Sequence, residues 1–425
     1  MKPSIELYKL IKSLTKSEKR FFKLSSALQS GDKNYVKIFD FIDVQKEYDE
    51  EALKEEFKNE TFIKHLSSEK NHLYKLILKS LRSYYSEESL SSILKQEIKN
   101  IEILYNKALY RECEKFIVRA KKIAQDTEKF YYWNEIISWE KKLKEEGLQE
   151  GMDDEGLASL IKEEEEVIDK LRNLAEYQII YSKINHIFRS GGFIRSEKEE
   201  QEVAEIANYH LIKGKNTAIS TRASSMCYYI KGLCAATNRN FSDSYLFFNK
   251  TREILDKNPI VKTDLSTRYV QTITHLLRCY IDGKQFDQAE QLIRELRSLS
   301  GTKGFNTINT EIRILSNAYL MELLQRQGKF QESVELIPKI DDFITEYQEV
   351  LSKEQCILFI YYKSVSYFAI GEYKKTLTFI NEVLNDNEQN IRQDIYGFAR
   401  IFNLVLHFEL GNYDFTEYVI KSVSR

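Results

Sequence analysis

The sequence predicts an all-α chain in which helix pairs follow one another in series, and three observations carry that reading. Only 3 prolines and 15 glycines occur in 425 residues, while Leu, Ile, Lys and Glu are plentiful, which favours helices joined by short turns. An aromatic returns at Phe241, Phe286, Phe330, Tyr373 and Tyr413, spaced 45, 44, 43 and 40 residues apart. Three places after each comes a small residue: Ser244, Ala289, Ser333, Thr376 and Thr416. Seven places after it comes Phe248, Ile293, Ile337, Ile380 or Ile420, and ten places after it Thr251, Leu296, Ile340, Val383 or Val423. These offsets lie along one face of a helix, so each aromatic marks a turn from which a second helix folds back on the first.

The composition narrows the class further. A chain 42 % apolar and 30 % charged excludes wholesale disorder, and a formal net charge of −2 gives no global pull toward nucleic acid or acidic membranes. The opening MKPSIELYKLIKSL lacks the apolar core of a signal peptide, and no run approaches the roughly 18 apolar residues of a membrane helix. The expectation is a soluble, cytoplasmic protein with no membrane partner. Cys113, Cys227, Cys234, Cys279 and Cys356 are odd in number, include no C-x-x-C pair, and fall on apolar helix faces, so they read as core residues.

Taken in order, residues 1–95 form a helical N-terminal module, with helices expected over 5–13, 16–28, 35–44, 50–58 and 67–85. Thr15, Asp32, Asp49 and Ser67 stand where N-caps belong, and Ser30-Gly31-Asp32 reads as a loop. The 67–85 helix has an apolar stripe of Leu73, Leu76, Ile77, Leu81 and Tyr84, beside a basic row of Lys75, Lys79 and Arg82 joined upstream by Lys64 and Lys70. A second basic cluster comprises Lys9, Lys12, Lys16, Lys19, Arg20 and Lys23. Short helices leading into a basic helix suit a helix-turn-helix-like DNA reader. A basic face is also what a solvated surface helix presents, and the helix before it is acidic.

Residues 96–224 read as helical pairs, among them one degenerate repeat in which Tyr110 takes the turn position, followed by Cys113, Ile117 and Ala120. A helix over 129–146 carries Trp133 and Trp139, and an acidic, glycine-containing joint follows around 147–156. A long helix over 157–189 opens with the acidic run 163–166, which the helix dipole favours, and stops at Ser190-Gly191-Gly192. One further helix is expected over 197–212. The five repeats occupy 225–425.

The turns of those repeats read Asn240-Phe241, Gln285-Phe286, Gly328-Lys329-Phe330, Gly371-Glu372-Tyr373 and Gly411-Asn412-Tyr413. Together with the small and apolar residues after them they resemble the tetratricopeptide repeat, and Gly232 matches that family's first-helix glycine. The period is longer than the family's roughly 34 residues, and Thr251, Leu296, Ile340 or Val383 stands where the family has alanine. In physical terms, the small residue permits close helix approach, a glycine supplies a left-handed turn, and the aromatic fills the gap the turn leaves.

The resemblance covers about half of the chain. It implies a right-handed α-solenoid of hairpins whose first helices line a concave face. Gln271, Thr274, Arg278, Glu322 and Gln325 would make that face polar in the middle. Leu358, Tyr361, Val365, Phe368, Phe398, Ile401, Val405 and Phe408 would make it apolar at the end. Such a stripe suits an amphipathic helix or extended peptide, and equally the chain's own N-terminal helices or a second copy. The Lys and Asn clamp by which some members hold a terminal carboxylate is missing. Thr274 with Arg278, Tyr361 with Val365 and Ile401 with Val405 stand in its place. Arg425 falls inside the second helix of the fifth repeat with no polar cap after it, as though the chain were trimmed or that end covered.

No pattern carries catalysis. His65, His72, His186, His210, His275 and His407 include no H-E-x-x-H, and no phosphate-binding, dinucleotide-binding or G-x-S-x-G signature occurs. Glu69-x-x-His72 has the spacing of half a di-iron site but lacks a second copy. The reading is therefore a non-enzymatic scaffold, without metal or cofactor, that holds a protein or peptide partner in its groove, with self-association open. The alternative is a transcriptional regulator whose N-terminal module binds nucleic acid. An enzyme acting on phosphoproteins has a similar layout and no residues to carry it.

Overall fold

The computed structural model describes residues 5–27, 34–87, 89–145, 154–347, 351–385 and 393–413. Among these residues the protein is helical, without strands, and it divides into two compact units, Met1–Ile161 and Lys162–Arg425.

The first unit begins with α1 (Glu6–Ser13), α2 (Lys16–Ala27), α3 (Asn34–Val44), α4 (Glu50–Glu56), a 3-10 turn (Thr61–His65) and α5 (Leu66–Tyr84). They enclose Leu7, Ile11, Phe22, Ile38, Phe39, Ile42, Leu53, Leu73 and Ile77. Thr15 and Glu18 form a reciprocal cap: Oγ1 of Thr15 accepts from the Glu18 N–H at 3.3 Å, and Oε2 of Glu18 accepts from the Thr15 N–H at 2.6 Å. Asp49 accepts from the Ala52 N–H at 2.9 Å. Each cap is worth about 1 kcal/mol. Ser67 does not cap α5, because the 3-10 turn runs directly into a helix that starts at Leu66. Asp32 and the loop around it lie outside the described residues.

A second core in this unit forms between α6 (Leu90–Asn106), α7 (Tyr110–Asp126) and α8 (Phe130–Glu145). Leu94, Ile101, Cys113, Ile117, Ala120 and Ile136 fill it, with Trp133 and Trp139 half-buried at its side.

The division between units falls within α9 (Asp154–Gly191), which ends where Gly192 turns to φ 77°. The joint expected around 147–156 lies outside the described residues up to 153, and from Asp154 the chain is already helical. The run 163–166 is exposed or half-exposed. The single helix expected over 197–212 is two, α10 (Glu197–Asn208) and α11 (His210–Lys213), because Tyr209 between them is extended with ψ 139°. Leu211 and Ile212 of α11 are buried in the core of the second unit.

The hairpins follow: α12 (Thr221–Thr237) with α13 (Phe241–Asp256), a short α14 (Pro259–Asp264), and α15 (Ser266–Asp282) with α16 (Phe286–Ser298). Next come α17 (Asn309–Arg326) with α18 (Phe330–Glu346), α19 (Lys353–Ala369) with α20 (Tyr373–Leu384), and then α21 (Gln393–Glu409). The two helices of each hairpin pack on each other and the second packs on the helix that follows the hairpin, while α15, α17 and α19 also touch the next first helix. The long period comes partly from connections that hold α14 and a 3-10 turn at Asn306–Ile308, and partly from long helices such as α18 and α19, 17 residues each. No described helix is long and apolar enough to cross a membrane.

The packing rule read from the sequence holds at every described position. Ser244, Ala289, Ser333 and Thr376 are buried, as are Phe248, Ile293, Ile337 and Ile380 and likewise Thr251, Leu296, Ile340 and Val383. Thr416, Ile420 and Val423 lie outside the described residues. Gly232 has a steric cause: a Cβ there would stand 2.8 Å from the Phe248 ring, so only glycine lets that ring lie against α12. Truncating one of the large side chains, such as Ile337→Ala, removes a contact worth about 2–5 kcal/mol.

Two expectations about the turns need correction. Glycine supplies the left-handed residue at Gly328, Gly371 and Gly411, but Arg239 and Lys284 adopt it elsewhere, with φ 58° and 56°. The same conformation recurs in the first unit at Ala108 and Glu128, before Tyr110 and Phe130. In all seven turns the next residue's N–H reaches back five residues, as in Asn240 to the Ala235 carbonyl at 2.9 Å and Lys129 to the Ala124 carbonyl at 2.9 Å. That bond satisfies a terminal carbonyl and fixes the reversal whatever the side chain, so non-glycine residues accept the left-handed strain. The aromatics fill the turn only in part. Phe286, Phe330 and Tyr373 are half-buried, whereas Phe241 is 46 % exposed and Tyr413 62 %.

Candidate functional site

A cleft of about 650 Å³ in the second unit opens between α15, α17, α19 and α21. Its lining includes Arg278, Glu322, Gln325, Leu358, Tyr361, Val365 and Phe398 of the residues picked from the sequence. Leu315, Ala318, Tyr319, Arg326, Phe330, Tyr362 and Ile395 complete it, and none of them was selected from the sequence. Tyr319 stands three residues before Glu322 on α17, and Phe330 was read only as a turn aromatic. The i−3 offset from Glu322 would have indicated Tyr319.

Arg278, Glu322 and Tyr362 are bound to one another at the cleft, while Arg326, also in the lining, is exposed. Glu322, only 7 % exposed, accepts from Nη1 of the half-exposed Arg278 and from the Tyr362 hydroxyl at 3.1 Å. Burial opposes the Arg278 charge, but Tyr319, Glu322 and Tyr362 around it hold its pKa above the usual value. Burial also pushes the Tyr362 hydroxyl well above its ordinary pKa, with Glu322 adding to it, so this phenol stays a donor. Gln325 donates to the Tyr362 carbonyl at 2.7 Å and to Ser366 Oγ at 2.8 Å, tying α17 to α19. The network fixes the polar floor in one arrangement and leaves part of the Arg278 fork exposed.

Apolar walls surround that floor. Tyr361 meets Phe398 edge to face at 4.9 Å between centroids, and the Arg278 guanidinium carbon lies 5.8 Å from the Tyr319 centroid. The remaining predicted residues stand elsewhere. Phe368 packs on Tyr373 and Phe402, as part of the core between α19, α20 and α21. Ile401, Val405 and Phe408 are 61 %, 40 % and 57 % exposed on α21 and do not line the cleft. Thr274 donates to the Gln271 carbonyl of its own helix at 2.7 Å, and Gln271 faces the Tyr229 hydroxyl at 3.5 Å.

One aromatic cluster beside α15 has no counterpart in the sequence reading. His275 stacks on Phe248 at 4.3 Å, meets Phe188 edge-on at 5.3 Å, and its Nε2 lies 3.1 Å from the Tyr229 hydroxyl. Burial, and after it the Arg278 charge, lowers its pKa to about 4, so the ring is neutral at pH 7.

In the first unit Lys75, Lys79 and Arg82 are exposed on α5 and form no ion pair among the described residues. Much of the basic charge near them is spent. Lys70 pairs with Glu50 in a half-buried contact, Lys19 with Asp43 at 2.6 Å, Lys23 with Asp40 at 2.7 Å, and Lys12 donates to the Asp43 carbonyl at 2.7 Å. His72 meets the Tyr35 ring, and no group of three or more His, Cys, Asp or Glu able to hold a metal forms among the described residues. All five cysteines are free, and burial raises every thiol pKa, that of Cys234 to about 12. Comparison with protein-family models and with curated proteins finds no match.

Proposed function

We propose that the chain is a non-enzymatic interaction scaffold: a right-handed, tetratricopeptide-like solenoid that holds a peptide or helix of a partner protein against α15, α17, α19 and α21. The cleft around Arg278, Tyr361, Val365 and Phe398 carries the reading. It joins a fixed, partly exposed guanidinium to aromatic and aliphatic walls, the combination in which an apolar anchor supplies affinity and one polar group sets orientation. The serial packing of hairpins and the burial of the repeat residues support the solenoid. The test is affinity capture from the source cell's lysate with wild-type protein and with Tyr361→Ala. A discrete protein that survives nuclease and salt, and that is reduced at least about tenfold by the substitution, is expected. Equal capture by both proteins would remove the cleft from the account.

A second reading rests on Lys75, Lys79 and Arg82, whose charges stand free on one edge of α5. In it the first unit binds nucleic acid and the second senses or dimerises. Reversing these three charges would then abolish binding and flatten its salt dependence by roughly three counterions.

A further inference from the structure

Arg268 is a cation the cleft does not use. It lies on α15 in one row with Gln271, His275 and Arg278, at helical spacings of three, seven and ten residues. Its guanidinium carbon stands 5.5 Å from the centroid of Tyr181 on α9 and 5.8 Å from that of Tyr229 on α12. Its N–H groups make no hydrogen bond or ion pair with any described residue. The Arg278 fork on the same row has Glu322, and the nearly buried Arg222 has Asp264. Arg268 has no carboxylate among the described residues.

The charges around it sharpen the contrast. Burial depresses the Arg268 pKa, the two tyrosines oppose that, and Arg222 depresses it further, with no acid acting on it. Arg189 is exposed in the last turn of α9 and is also without an ion pair among the described residues. Arg268 is part-exposed, so its guanidinium, charged at neutral pH, remains within reach of a ligand from solution. Contact with the tyrosine faces satisfies none of its N–H groups.

We infer that Arg268, framed by Tyr181 and Tyr229, is an oxyanion-binding site that takes a carboxylate or phosphate group of a ligand. The planar fork presents paired donors to either group, and the rings hold it in place before the anion arrives. The site is separate from the Arg278 cleft and does not require the scaffold reading, because a small anion suffices to fill it.

The experiment is calorimetric titration of the full chain with inorganic phosphate and, separately, with an end-blocked hexaglutamate peptide. Wild type is compared with Arg268→Gln, Arg268→Lys and a control, Arg294→Gln, whose arginine is exposed and already paired with Glu290. One saturable site is expected for at least one probe, weakened at least about tenfold by Arg268→Gln, less by Arg268→Lys, and unchanged in the control. Preference for phosphate or for the peptide then distinguishes the two sources of the anion. In the wild-type protein the bound probe should also slow modification of Arg268 by phenylglyoxal, a readout that needs no variant to fold. The inference is overturned if neither probe saturates the wild type, if Arg268→Gln binds within about twofold of it, or if bound probe leaves Arg268 unprotected.

Discussion

Helices α15 and α21 are both first helices that follow a completed hairpin, yet they present opposite chemistry. On α15 the polar row is largely consumed by neighbours: His275 by Tyr229 and Phe248, Thr274 by its own helix, Arg278 by Glu322. On α21 the apolar side chains Ile401 and Phe408 stand 61 % and 57 % exposed. Polarity on α15 is therefore chiefly internal structure, whereas α21 buries Ile395, Ala399, Phe402 and Leu406 and still exposes apolar side chains on another face. A polar side chain marks recognition only when its partners have been counted, which is why Arg268 stands out and Glu322 does not.

Three results would sharpen or break that contrast. The largest concerns His275, neutral in the folded protein because burial lowers its pKa from 6.5 to about 4. The unfolded chain binds a proton below pH 6.5 that the folded chain refuses. Stability is thus complete above that pH and falls by about 3 kcal/mol as pH drops toward 4. Denaturant melts of wild type and His275→Phe should differ in slope across that window, and parallel curves would mean that the ring is hydrated.

Next, Glu322→Ala should cost about 2 kcal/mol, because it strips Tyr362 and Arg278 of their acceptor, with the exposed part of Arg278 recovering some hydration. Phe408→Ser on α21 should cost less than about 0.5 kcal/mol. Equal losses in chemical denaturation would erase the difference between the two helices.

The smallest effects concern the turns. Gly328→Ala should destabilise by about 1 kcal/mol from its φ of 75° alone, because an added Cβ meets nothing within 4 Å. Lys284→Gly should gain about 0.5–1 kcal/mol by relieving the same strain. Thermal melts that moved in the opposite directions would show that the turn is not held by its backbone.

Much of this was legible beforehand. The buried offsets after Phe241, Phe286, Phe330 and Tyr373 follow from helical geometry and one requirement, close packing, so periodicity carries them. The left-handed turns at Gly328 and Gly371 were equally visible. Those at Arg239, Lys284, Ala108 and Glu128 were not, since a hydrogen-bonded turn imposes φ on residues that carry no mark of it. The cleft was half legible. A first-helix face can be counted out from the turns, but the pairing of Arg278 with Glu322, 44 positions apart, depends on how neighbouring hairpins align. Arg268 belonged to no pattern at all, because its significance is the absence of a carboxylate.

The most direct measurement of the central claim is a peptide-display selection on the full chain, with Tyr361→Ala as the counter-selection. The account predicts enriched peptides that share an apolar anchor, bind the wild type, and lose at least about tenfold in affinity on Tyr361→Ala at a temperature where the variant is still folded. Enriched peptides that bind the variant equally well, or none enriched at all, would contradict a partner held at this cleft.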